Sequence, residues 1–295
     1  MRTKEELAND LKALQDSITG FLCKLDPALK LHEDLWDRTG GGGGRTRILA
    51  EGDIIEKGGV NFSAVFGQAP EFMKADTFFA SGVSLVLHPR NPMVPIIHMN
   101  VRFLENSLDG KQDQWFGGGI DVTPHYVFPE DARWFHEQLK AVCDSFGPTL
   151  YGEYKKWADD YFFITHRKET RGIGGVFFDF VKGTAAFPLE RVDEFIFALG
   201  NRFNPIYEHL SKRHTMAFTE SNKTWQLQRR GRYAEFNLVY DRGTKFGLET
   251  AGRIESILMS LPPLARWDYN VVPVEGSDEA MTLNWLKKDI DWLHV

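Results

Sequence analysis

What most constrains this chain is a set of runs with a two-residue period, several of them joined by turn signals instead of helices. Residues 59–67, 81–88, 96–104, 173–179, 214–219 and 231–240 all have strand character, and Asn91-Pro92 and Pro95 mark a turn between the second and third. Strands that follow one another through turns pair antiparallel, whereas a parallel sheet needs a helix between each pair. Helical periodicity lies elsewhere. Thr3-Lys4-Glu5-Glu6 has the form of a capping box, followed by Leu7, Leu11, Leu14, Ile18, Leu22 and Leu25 at three- and four-residue steps. Residues 131–146, 149–163, 190–212, 250–260 and 279–293 repeat that spacing. The pattern predicts an α+β fold, one large, mainly antiparallel sheet flanked by helices on both faces. No linker-like stretch divides residues 1–295, so a single domain is expected.

Composition narrows the function. Hydrophobic residues make up 42% of the 295, enough for a sizeable core in a chain that can bury about 75% of its unfolded surface. A net charge of -6 argues against nucleic acid as a general partner. No apolar run reaches the roughly 20 residues of a membrane span, and the polar start lacks a signal-peptide core, so a cytoplasmic protein is expected. Cys23 and Cys143 alone cannot build a disulfide framework, a four-thiolate zinc site or a clustered iron–sulfur motif.

Two glycine-rich segments invite a ligand reading. Gly40 to Gly44 precede Arg45-Thr46-Arg47 and not Gly-Lys-Ser/Thr, so they are no phosphate loop. A mobile surface loop is the plainer reading, and a flexible cover for an anion the alternative. Gly117-Gly118-Gly119 sets Asp121 where backbone is open to close approach; an Asx turn is the alternative. No basic residue adjoins Asp121, so loss of its charge is expected to affect function more than stability.

The strand period places Ser84, Val86 and His88 on one face of 81–88, and His98, Asn100 and Arg102 on one face of 96–104. If the two runs pair, those faces adjoin. They lack the Lys and Glu of a solvated face and carry an acid/base group, an amide and a guanidinium, which suits a ligand-facing wall. His88, His98, His136 and His166 taken singly read as buried, hydrogen-bonded histidines. Together, beside a cleft, they could hold a divalent ion. Arginines are dense at Arg167, Arg171, Arg229, Arg230, Arg232, Arg242, Arg253 and Arg266, with 229–232 opening a predicted strand. That density suits recognition of several carboxylates, and ion pairing with Glu235, Asp241 and Glu255 is the competing account.

These segments resemble the oxygen-dependent (aerobic) coproporphyrinogen III oxidases. The resemblance is carried by Trp36-x-Arg38 with the glycines 40–44, Glu56-Lys57-Gly58-Gly59-Val60-Asn61-Phe62-Ser63, Gly82-Val83-Ser84 to His88-Pro89, and His98-Met99-Asn100-Val101-Arg102. It continues through Trp115 to Pro124, His166-Arg167-x-Glu169-x-Arg171-Gly172-Ile173-Gly174-Gly175, Gly231 to Leu238, Arg242 to Leu248 and Arg253 to Pro263. It implies a homodimer that converts two of the four propionates of coproporphyrinogen III to vinyl groups, giving protoporphyrinogen IX. O2 would be co-substrate, with no flavin, haem, nicotinamide or other organic cofactor. By position, His98 resembles the family's proton donor and Asp121 the acid that meets the pyrrole N–H groups. Ser84, Asn100, Val101, Arg102, Ala251, Gly252 and Arg253 resemble its substrate contacts, with Arg102 and Arg253 fixing propionates. His88, His98, His136 and His166 match positions assigned to a divalent metal in bacterial members. Ala251 stands where Gly is usual, and Phe180 where a second Asp commonly follows Asp179, which argues against an acidic pair there as a catalytic requirement. The two isolated cysteines exclude the radical enzyme that acts on the same substrate. A metal-dependent dioxygenase and a non-catalytic tetrapyrrole carrier remain as rivals.

Overall fold

The computed structural model describes residues 2–249 and 252–295. The chain opens with α1 (Lys4–Leu25), whose capping box forms as predicted between Thr3 and Glu6. Six strands then follow one another with no α-helix between them: β1 (Lys30–Asp37), β2 (Gly42–Ala50), β3 (Ile55–Gln68), β4 (Thr77–Pro89), β5 (Ile96–Leu108) and β6 (Lys111–Thr123) precede α2 (Pro129–Asp144) and α3 (Leu150–Tyr161). A two-residue pair, β7 (Phe163–Ile164) and β8 (Glu169–Thr170), leads to β9 (Gly175–Val181), then α4 (Leu189–Asn201), α5 (Phe203–Ser211), α6 (Glu220–Val239), α7 (Arg242–Glu249), α8 (Ile254–Leu258) and α9 (Asp278–Trp285). The large sheet runs β1-β2-β3-β4-β5-β6-β9, and every neighbouring pair is antiparallel.

The expected architecture is therefore present, and its two faces differ. Val83, Leu85 and Leu87 of β4 and Met99, Val101 and Phe103 of β5 are buried in the main core with Leu7, Leu11, Leu14, Ile18 and Leu22 of α1 and with apolar residues of α2 and α4. Burial of that stripe is the chief stabilising contact of α1, at roughly 1.5–3 kcal/mol for each large side chain. On the opposite face Tyr233 of α6 packs on Val86 and Ile96, and Met259 lies so close over Gly59 that a Cβ there would sit 2.0 Å from its sulfur.

Several expected elements change. Residues 214–219 form no strand: a 3-10 turn spans Lys212–Thr215, and Thr219 then caps α6. Residues 231–240 belong mostly to α6. Trp225, Gln226, Arg229, Arg230, Tyr233, Phe236 and Asn237 are buried at helical spacing, and this three-to-four period overrides the local alternation. Gly231 fits there because a Cβ would meet the Arg266 carbonyl at 2.7 Å. The 190–212 helix divides at Arg202 into α4 and α5. Of the predicted 250–260 helix, 254–258 is helical, while 250 and 251 lie outside the described residues. The predicted 279–293 helix is α9 alone, ending at Trp285.

The five glycines do not form an open loop: they close a turn and begin β2. Gly41 and Gly42, with φ of 117° and 77°, turn the chain, and Gly43 and Gly44 enter β2, where a Cβ on Gly44 would strike the Trp36 ring at 2.3 Å. Gly117-Gly118-Gly119 likewise forms no turn but the middle of β6.

Candidate active site

Pairing in the sheet assembles the predicted wall. In register, Ser84 lies opposite Asn100 and Val86 opposite His98; on the other side of β5, His98 faces Asp121, Asn100 faces Gly119 and Arg102 faces Gly117. Strand alternation puts all of these on the face away from the main core. Ser84, His98, Asn100 and Arg102 are only half-buried, while Asp121 is 3% exposed. Val101, expected among the substrate contacts, points its side chain into the core, fully buried, and can offer only backbone.

Asp121 is the centre of a chain of charge-assisted bonds. Its Oδ1 accepts from His98 Nδ1 at 2.6 Å, and its Oδ2 from Arg171 Nη2 at 2.5 Å. Arg171 donates through Nη1 to Asn237 Oδ1 at 2.9 Å, and its guanidinium lies 4.3–4.8 Å from the ring centroids of Phe162, Phe236 and Tyr233. Burial alone would raise the Asp121 pKa, but the Arg171 guanidinium and His98 outweigh it and hold the carboxyl below its ordinary value. A carboxylate on Nδ1 makes that nitrogen a donor and leaves Nε2 as the free reactive atom of His98. The expectation that Asp121 has no basic partner is corrected. Both carboxylate oxygens are engaged within the protein, one by the His98 ring and one by the Arg171 guanidinium.

Arg171 was expected only as one of several arginines suited to carboxylates, and neither its pairing with Asp121 nor Asn237 was foreseen. Arg171 reaches Asp121 because Gly172 and Gly175 let the two backbones close: a Cβ at either would lie 2.1 Å or less from a β6 carbonyl. The glycines that follow Arg171 were the available signal.

A second set lines the same face. Arg102 donates Nη1 to Asn100 Oδ1 at 2.7 Å and pairs through Nη2 with Asp179 Oδ2 at 2.9 Å. Arg253 binds Asp34 through Nε and Nη2, at 2.9 and 2.5 Å. Gly252 donates its N–H to the Gly247 carbonyl at 2.9 Å, and Ala251 lies outside the described residues.

Across residues 6–292 the sequence matches the family model described as coproporphyrinogen III oxidase. The chain belongs to the coproporphyrinogen III oxidase family. It is 46% identical over 302 residues to coproporphyrinogen-III oxidase 1, chloroplastic, of Arabidopsis thaliana, a match covering 96% of the chain and 78% of that relative. Membership places it among the oxidoreductases of haem and porphyrin biosynthesis. Among the described residues no helix is long and apolar enough to cross a membrane.

The four histidines assigned to metal in bacterial members of the family do not converge. Among the described residues no three His, Cys, Asp or Glu side chains form a group that could hold an ion. His136 spends both nitrogens inside the core, accepting from the Tyr151 hydroxyl and donating to the Ile173 carbonyl at 3.0 Å each. His166 binds Tyr240 and Glu235. His88 donates Nε2 to the Ser260 carbonyl at 2.9 Å, and the positive charge of Arg230 near the ring opposes a second cation. These donors do not fit one metal centre within a chain.

Those buried rings predict an acid sensitivity. Burial, reinforced for His88 by Arg230 and for His136 by Lys155, lowers both from 6.5 to about 3. A base with a depressed pKa is neutral in the folded state while the unfolded chain takes up protons, so stability is intact above pH 6.5 and falls as pH drops toward 3. Each ring should contribute a loss of about 2 kcal/mol between pH 7 and 5. Urea unfolding at both pH values checks it; equal free energies would show that the rings are not buried neutral.

Ion pairing accounts for most other arginines. Glu235 accepts from Arg167, His166, Arg232 and the Trp267 indole. Burial would raise its carboxyl, but those donors pull it down to about 2. Arg229 holds Glu169, and Arg230, fully buried, holds Glu56.

Proposed function

We propose that the chain decarboxylates two propionates of coproporphyrinogen III to vinyl groups, giving protoporphyrinogen IX with O2 as oxidant and no organic cofactor. The observation that carries this reading is the His98–Asp121–Arg171 chain, whose histidine and aspartate stand on the sheet face that also carries Arg102. The propionate supplies the two electrons, the electron-rich pyrrole beside it makes their release to O2 feasible, and the protein supplies placement and a proton path. For each propionate the bond to the carboxylate breaks as CO2 leaves, one hydrogen is lost from the methylene attached to the pyrrole so that the two carbons become the vinyl group, and the two electrons released pass to O2, which departs with two protons as hydrogen peroxide. His98 Nε2 handles a proton in that sequence, held in orientation by Asp121. Arg102 and Arg253 grip carboxylates, and Ser84 and Asn100 contribute hydrogen bonds. No step is routed through a metal. A homodimer and a cytoplasmic location belong to the same reading.

Incubation with coproporphyrinogen III in air and under anaerobic conditions, followed by product analysis, is the test. Vinyl product in air only, undiminished after exhaustive chelation, is expected. Binding without product would make the protein a carrier, and loss of turnover on chelation, restored by metal, would make it a metal-dependent oxygenase.

A further inference from the structure

Each of the two arginines read as propionate contacts is already occupied by a carboxylate of the protein. We propose that Asp179 and Asp34 are exchangeable stand-ins, holding Arg102 and Arg253 in place until carboxylates of the substrate take them over. The inference deepens the reading above and rests on it.

Asp179 is built into position. Between the pairs Phe116/Val181 and Gly118/Phe178 the register of β6 and β9 shifts, so that Asp179 and Phe180 together oppose Gly117. Phe180 sits at φ 50°, a left-handed conformation unfavourable for an aromatic residue, and is retained by stacking on Trp115, ring centroids 5.3 Å apart. That geometry lets the Phe180 N–H donate to Asp179 Oδ1 at 3.0 Å, which leaves Oδ2 for Arg102. Gly117 is required beneath the pair: a Cβ would lie 2.6 Å from Asp179 Oδ1 and 2.9 Å from Arg102 Nε. Asp34 is placed by β1, where it pairs with Thr46. Thr46 bonds Ser256 of α8, and the same short segment carries Arg253.

Exposure separates these pairs from the structural one. The Arg171–Asp121 side chains are 3% and 4% exposed, whereas those of Arg102–Asp179 are 28% and 18%, and those of Arg253–Asp34 are 41% and 27%. A sealed pair cannot release one partner without leaving a bare buried charge. A partly open pair is weak and exchanges its carboxylate readily. The stand-ins keep each guanidinium oriented before binding. They also tune selectivity, because a ligand group without a carboxylate at that place cannot displace the aspartate.

Asp179→Asn and Asp34→Asn, made separately, test this through binding of coproporphyrin, the oxidised analogue carrying the same four carboxylates, and through steady-state kinetics. Each variant should bind coproporphyrin roughly 3–10-fold tighter, since a competing charge is removed. Each should have a lower KM and a lower kcat, because the arginine is less firmly oriented. Adding Arg102→Ala to Asp179→Asn should abolish the gain. Unchanged affinity would make the pairs structural, and weakened affinity matching Arg102→Ala alone would make the aspartates direct substrate contacts; either overturns the proposal. The two aspartates lie on different strands, so misfolding of one variant leaves the other decisive. A wild-type protein that does not bind coproporphyrin at all would instead overturn the reading of the site itself.

Discussion

Asp121→Asn should lose about 3–5 kcal/mol of stability together with most of its turnover. The side chain is buried between His98 Nδ1 and Arg171 Nη2, and Arg171 is itself 3% exposed. Asn would keep the volume but leave a buried guanidinium without its counter-charge, and removing one partner of a buried pair costs that order. A fall in Tm on the order of 10 °C should accompany it. Arg171→Met should suffer likewise. The double variant should recover much of the lost stability, since the unpaired charge is gone, but none of the activity. Thermal unfolding and vinyl formation on the three preparations decide the matter. A fully stable Asp121→Asn would show that the pair contributes nothing to the fold, and recovery of activity in the double variant would remove both residues from the chemistry. Sequence alone leads to the opposite expectation about stability, because the partner lies 50 residues away along the chain.

That distance illustrates what could and could not be read in advance. β4 and β5 were legible because polar and apolar residues alternate through their middles, and the same alternation named His98, Asn100, Arg102 and Ser84 as one wall. β2 and β6 were hidden by glycine, which is poor in strands and so reads as loop. Here each run of three or more glycines marks close packing across the sheet, under Trp36 in one case and under Arg102 and Asp179 in the other. α6 was misread because its buried face is built from arginines, a glutamine and an asparagine as much as from apolar residues, so no hydrophobic stripe announced it. Phe180 in place of a second acid argues against an acidic pair at 179–180 and gives no hint of the partner Asp179 finds. The bulge that turns Asp179 toward Arg102 is a backbone event with no signature in side-chain pattern.

His98→Gln should lower turnover roughly 10²-fold or more and leave the fold nearly intact. The two effects separate because the ring does two jobs with two nitrogens. Nδ1 ties the side chain to Asp121 at 2.6 Å, and a glutamine amide can donate in its place, so the carboxylate stays satisfied and Arg171 stays paired. Nε2 is the atom available for proton transfer, and an amide cannot supply a titrating proton; losing a positioned acid/base group typically costs 10²–10⁴-fold. The half-buried position of the ring limits the structural penalty, in contrast to Asp121. If Asp121 acts through His98, the losses will not add: His98→Gln combined with Asp121→Asn should turn over no more slowly than the slower single variant, because groups working as one unit are removed together. Full multiplication of the two effects would give Asp121 its own contact with the substrate, and near-normal turnover of His98→Gln would make the histidine a structural member of the wall.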